Sequence, residues 1–325
     1  MIPDLIVDAL SGTFRCHIDA LLARHVQRHH ADRWLIFSDY VLRQRDRHND
    51  TFAFSIMPGG SHLPGLTEDI RRFSLRDLKD VREVSETMRH LLADPRIMTF
   101  CFLLPRKRTL SRNAASARQL IENTLTTIEG WRDRDAHGPV IDRMRKLLEK
   151  SKSQSFNVGL LDDIMLTTSF AAFLSVRVCM ATTVERIGWF SDRDKITTAY
   201  NGIANDLFRV NVSAFCQRLM NGWRGPELAV SAPVEQGSAP WCDAQLRIPD
   251  HFAGVVSAWD LGTNQLPATA AKYLPVLTEA VADRSNVHLI KVTSSWKGEN
   301  LHLDASRVVV SKDPLPPPVE GPFAR

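Results

Sequence analysis

Three aspartates stand where apolar segments begin or end. Asp39 lies within WLIFSDY, Asp192 within GWFSDRD and Asp250 within RIPDHFAGVVSAW. The first two share one pattern, an aromatic residue, Ser and Asp closing an apolar run. Aspartate disfavours strand interiors, so two such positions point to carboxylates aimed at a shared edge of a sheet. Asp250 is read at the start of a helix, where a carboxylate suits the positive helix end. Carboxylates collected from distant positions are hard oxygen donors suited to Mg²⁺ or Mn²⁺. Two such ions about 3.5–4 Å apart activate a water and stabilise the leaving oxygen of a phosphodiester. The chemistry expected of Asp39, Asp192 and Asp250 is therefore metal-dependent phosphoryl transfer. Each aspartate alone also fits a turn or a helix cap; the reading rests on the three together.

Basic residues accompany these acids. Arg43, Arg45, Arg47 and His48 follow the segment of Asp39, and Arg106, Lys107 and Arg108 follow an apolar run ending at Leu104. Beside an acidic site, Arg43, Arg45, Arg106, Lys107 and Arg108 are expected to contact a phosphate backbone; the competing reading is a solvated loop. Arg143, Arg145, Lys146, Lys150 and Lys152 read as an ordinary helix surface. His25 and His29 have i, i+4 spacing but no acidic third ligand beside them, so they read as surface histidines. The chain has no P-loop, dinucleotide fingerprint or GxSxG elbow. No His lies near Ser38 or Ser191 to activate either as a nucleophile.

The elements that must position these residues alternate between strand and helix. Residues 4–30 have helical spacing, with an interruption expected at Gly12. Residues 34–42 and 51–57 read as strands of an antiparallel hairpin. Pro58-Gly59-Gly60 and Pro64-Gly65 break the chain. A helix is expected over about 75–92, with Ser74 as its cap ahead of Asp77. Met98 to Leu104 is an apolar run that suits a central strand. Helices are expected over 110–131, 139–150, 159–185 and 194–220, with a short strand at 185–190. Residues 225–243 read as a loop holding a short strand at 228–231. Pro249 is expected to open a helix ending near Trp259. A further helix over 268–282 and a hairpin of 287–293 with 301–310 close the pattern. The expected class is α/β, with one mixed β-sheet flanked by helices in a single domain over 1–312. A helical insertion falls around 107–185, and a Pro-rich tail occupies 313–325.

Composition bounds the rest. The 325 residues carry a net charge of +4 and are 44% hydrophobic, which permits an anionic partner and argues against global disorder. Cys16, Cys101, Cys179, Cys216 and Cys242 are odd in number and form no CxxC pair, so they read as reduced thiols of a cytoplasmic protein. The amphipathic, aspartate-bearing start does not read as a signal peptide. The most apolar window, 164–183, is interrupted by Thr167, Thr168, Ser169, Ser175 and Arg177, and reads as a buried helix rather than a membrane span.

The segment AQLRIPDHFAGVVSAW resembles the C-terminal motif of an RNase H-like family, the domain-of-unknown-function family 3800. Leu246, Asp250, Ala253 and Gly254 match that motif, and Arg247 replaces its Gln. Asp39 matches the aspartate that ends the family's first strand, with Tyr40 in place of the following Glu and no Ser-Gly after it. Asp192 matches the aspartate closing a later strand. The resemblance implies an RNase H-like core that holds Mg²⁺ or Mn²⁺ through Asp39, Asp192 and Asp250 and acts as a nuclease or related phosphoryl-transfer enzyme. Asp194 is expected as the fourth acid, with Glu122 or the pair Asp162-Asp163 as alternatives, although that pair reads first as a helix cap. The altered Asp-Glu motif also fits a catalytically silent module that binds a protein or nucleic-acid partner. No membrane partner is expected.

Overall fold

The computed structural model describes residues 2–73, 81–108, 110–132, 134–192, 194–221, 225–230 and 241–312. The Pro-rich tail, residues 231–240 and the expected cap at Ser74 with Asp77 lie outside the described residues.

Aromatic and β-branched residues form the strands β1 (Arg33–Val41), β2 (Asn49–Pro58), β3 (Met98–Pro105), β4 (Arg186–Ser191), β5 (Glu227–Val230), β6 (Val287–Lys297) and β7 (Asn300–Val308). They build one seven-stranded mixed sheet in the order β5-β4-β1-β2-β3-β6-β7. β1, β2 and β3 form an antiparallel meander. β4 joins β1 in parallel, β5 joins β4 in parallel, and β6 runs parallel to β3 before turning back into β7. The expected hairpins and the interior position of the Met98 run are all present.

Because side chains alternate across a strand, the sheet has two distinct faces. Trp34, Ile36, Phe52, Phe54, Phe100, Phe102 and Trp189 point to one face. That face is covered by α1 (Ile2–His17), α2 (Asp19–His29) and, between β3 and β5, by α5 (Ala114–Glu129), α6 (Gly138–Lys150), α7 (Val158–Ala181) and α8 (Lys195–Leu219). Phe37, Ala53, Met57, Cys101, Leu103 and Phe190 point to the other. There the cover comes from α3 (Leu63–Phe73), α4 (Glu86–Leu92), α9 (Asp243–Ala258) and the segment 268–281. Helix α7 is the one described helix long and apolar enough to cross a membrane, and 89% of its apolar window is buried inside the fold.

Several expected boundaries move. α1 runs through Gly12, and the break comes at Ile18, whose φ of −122° leaves the helical range. α4 is shorter than expected and is capped by Ser85, which accepts from the Met88 amide. α7 is capped by Asn157, so Asp162 and Asp163 lie inside the helix rather than at its cap. Helix α8 is broken over Ala199–Gly202, where Tyr200, Asn201 and Gly202 take left-handed angles. The expected helix over 268–282 is instead a 3₁₀ segment, a short turn and a single π turn. α9 begins at Asp243, six residues before Pro249, which therefore sits in the helix interior. There it removes the N–H that would bond the Gln245 carbonyl.

Two histidines are buried in this core. His25 lies against Trp34, contrary to the expectation of a surface residue, and His288 lies against Phe100. Burial, with His29 and Arg28 near His25 and Arg307 near His288, pushes each imidazole down to about 3. Both stay neutral in the fold, while the unfolded chain takes up protons near pH 6.5. Stability therefore falls as pH drops below that value, by about 1.4 kcal/mol per histidine between pH 7.5 and 5.5. Urea unfolding at the two pH values reads this loss, and His288→Phe is expected to remove about half of the part due to the two residues.

Candidate active site

The site is assembled by register. In the parallel pair of β1 and β4, Ser38 stands opposite Ser191. The next residues are Asp39 and Asp192, so the two carboxylates leave neighbouring strands at the same level. Alternation puts them on the face of Phe37 and Phe190, the face on which α9 packs. α9 contributes Asp243, Arg247, Asp250 and Gly254, spaced by three or four residues and hence on one side of the helix. With Asp39, Asp192 and Arg47, these residues line a cleft of about 420 Å³. The three aspartates singled out in the sequence thus meet in one place, though Asp250 arrives from the middle of a helix rather than its start.

Asp39 and Asp250 are within hydrogen-bond reach of each other. Burial of Asp39 and the charges of Asp250 and Asp192 together hold its carboxyl well above the usual range, against the opposing bond from the Tyr40 amide. Tyr40 itself points to the opposite face, against Phe52 and Phe54. Its side chain therefore replaces nothing in this cleft.

The loop between β1 and β2 brings in Arg47. The His48 amide donates to the Ser257 carbonyl at 2.9 Å, and the Asn49 side chain donates to the Trp259 carbonyl at 2.7 Å. Both bonds tie the loop to the end of α9. Arg106 donates to the carbonyls of Arg45 and Arg47 at 2.8 and 2.9 Å. Arg47 then reaches the Gly254 carbonyl at 3.4 Å, while its buried Nε has no hydrogen-bond acceptor. Arg247 pairs with Asp243 at 3.2 Å. Arg47 lies in the noted basic run and Arg247 at the motif's Gln position; the helical spacing of 243, 247, 250 and 254 would have shown α9's share, had Pro249 not suggested a later start.

The other expected residues serve different ends. Asp194 caps α8, accepting from the amides of Ile196 and Thr197, and does not line the cleft. Glu122 is exposed on α5. Asp162 accepts from the amide and hydroxyl of Ser111. Arg108 is only 1% exposed and is paired with both Asp50 and Asp163, and Arg43 joins the same network through Asp163 at 2.8 Å. Arg108 therefore supports the fold and cannot present its charge to a ligand. Arg106 positions the Arg47 loop, while Arg45 and Lys107 are exposed outside the cleft lining.

No His or Cys lines the cleft, so its donors are carboxylate oxygens alone among the acidic and metal-binding types. Among the described residues no group of three or more His, Cys, Asp or Glu side chains is already arranged to hold a metal ion. No protein-family model and no curated protein sequence matches the chain.

Two variants probe the contrast between acids that face arginines and acids that face other carboxylates. Arg108→Ala takes from Asp50 its buried ion-pair partner and leaves Asp163 with Arg43 alone, and is expected to cost about 3 kcal/mol in urea unfolding. Asp250→Asn removes a like charge from Asp39 and is expected to lower its pKa in the metal-free protein, read by ¹³C titration of the carboxyl carbon. A carboxyl whose folded pKa is raised weakens the fold as pH rises above its unfolded value. Asp250→Asn is therefore also expected to raise the unfolding midpoint at pH 8.

Proposed function

We propose that this chain is a divalent-metal-dependent nuclease, or a related phosphoryl-transfer enzyme, acting on nucleic acid through an RNase H-like acidic site. The observation that carries the reading is the convergence of Asp39, Asp192 and Asp250 from two strands and a helix, with Asp39 and Asp250 in direct contact. A protein spends stability in holding like charges together, and such strained ionisable groups gather at functional sites. The strand arrangement supports the same reading. An antiparallel β1-β2-β3 meander, extended by parallel β4 and β5 and followed by an acid-bearing helix, is what an RNase H-like core calls for.

The donor set fits Mg²⁺ or Mn²⁺, since it offers carboxylate oxygens and neither thiolate nor imidazole. Asp39, Asp192 and Asp250 would hold the metal, which when bound supplies activation of a water and stabilisation of the leaving oxygen. The chain's own side chains then divide the remaining work. Asp39 and Asp250, which meet across β1 and α9, would be drawn to the charged form by a bound cation. Asp192 is the exposed member and faces arriving substrate. Arg47 and Arg247 offer guanidinium donors matched to phosphate oxygens. The β1–β2 loop that carries Arg47 is tied to the end of α9 by the His48 and Asn49 bonds and held by two bonds from Arg106, which follows β3, so that Arg47 need not be ordered when substrate binds.

Asp39→Asn is expected to abolish Mn²⁺-dependent cleavage across a panel of single- and double-stranded DNA and RNA, and to remove the heat of Mn²⁺ binding in calorimetry. Cleavage unchanged in that variant would overturn the assignment. Absence of any Mg²⁺ or Mn²⁺ heat in the wild-type protein would turn the reading to a catalytically silent binding module.

A further inference from the structure

Near the acids lies an aromatic residue whose packing leaves about half of it exposed. Trp241 is 54% exposed, and it is the only aromatic among the four strongly exposed large apolar side chains of the described residues. Its placement relative to the cleft is definite. Its ring meets Phe190 edge-on, with centroids 5.1 Å apart, and Phe37 at 6.3 Å. Phe190 and Phe37 precede Asp192 and Asp39 by two residues, on the same sheet face. Trp241 thus packs on residues one side-chain step along β1 and β4 from Asp39 and Asp192, and lies outside the cleft lining itself. It also precedes by two residues Asp243, which opens α9 and lines the cleft.

We propose that Trp241 is a stacking platform for a nucleobase, and that the cleft takes single-stranded nucleic acid with the base beside the bound phosphate seated on this ring. The proposal rests on the reading of the cleft as a nucleic-acid site. Three features favour it. Phe190 and Phe37 pack against Trp241 and brace it, so the ring is presented on a rigid support rather than on a mobile side chain. Arg47 and Arg247 line the cleft with the acids, placed to meet phosphate, while Trp241 lies outside that lining, which separates backbone recognition from base recognition. The cleft of about 420 Å³ is of a size for one nucleotide-like group. A base inside a duplex is already covered on both faces by its neighbours, whereas an unpaired base offers a face to an aromatic side chain. Stacking of this kind tolerates every base, so it selects strandedness rather than sequence.

Fluorescence anisotropy in EDTA separates binding from cleavage. The probes are a fluorescein-labelled oligothymidylate, the same phosphodiester strand with abasic residues throughout, and a duplex of equal length. The wild-type protein is expected to bind the oligothymidylate tightest. Trp241→Ala is expected to weaken that binding about tenfold, Trp241→Phe to restore most of it, and neither to change binding of the abasic strand. Arg47→Ala is expected to weaken both strands alike. Because the ring is half exposed, the fold of Trp241→Ala is checked by its unchanged thermal melt. Equal binding of oligothymidylate by the wild type and Trp241→Ala would overturn the platform, while a loss in Arg47→Ala would leave the phosphate cleft standing. Failure of every strand to bind would overturn the nucleic-acid reading and the platform with it.

Discussion

The parallel pairing of β1 with β4 is the constraint on which the site depends. Side chains alternate from face to face, so the register that sets Ser38 against Ser191 also decides where Asp39 and Asp192 point. A slip of one residue in either strand would send one carboxylate into the apolar face beneath α7 and α8. That register is held by packing on both sides. Trp34, Ile36 and Trp189 are buried on one face, Phe37 and Phe190 on the other. The indole N–H of Trp189 also donates to the Ser38 hydroxyl at 2.8 Å across the two strands.

The two faces of this sheet treat buried charge in opposite ways. Toward α7, Asp50 and Asp163 meet Arg108 and Arg43, and each carboxylate has a cation within bonding distance. Removing water from those charges is offset by close opposite charge. Toward α9, Asp39 meets Asp250 and Asp192, which raise its pKa rather than lower it. Like charge close to Asp39 costs stability there, whereas opposite charge close to Asp50 and Asp163 offsets their desolvation. The same residue type therefore has two roles, set by what the fold puts opposite it.

Pro249 illustrates how a local rule yields to packing. Proline is favoured in the first turn of a helix because its missing N–H costs nothing there. In α9 it occupies the interior, and the turns before it are held by burial of Ala244, Gln245, Leu246 and Ile248 against the sheet and α3. Those turns carry Asp243 and Arg247, half of the helix's contribution to the cleft. His25 shows the same effect: a polar side chain at helical spacing is buried, with Trp34 and the Pro95 backbone against its face of α2.

By itself the sequence determined the strands β1 to β7, the helices α5 to α8 in outline, and the three aspartates worth watching. These features are local: apolar alternation and helical spacing follow from which residues adjoin along the chain. Only the tertiary structure decided the strand order, the side of the sheet to which each charge points, and the partners that charge finds there. That is why Arg108 and Arg47, members of two basic runs, part company, one buried with Asp50 and the other bonded to the Gly254 carbonyl and lining the cleft. It is also why Tyr40, which interrupts an acidic motif along the chain, subtracts nothing from the cleft. Charge pairing depends on distances between residues far apart in sequence, and no pattern along the chain encodes those distances directly.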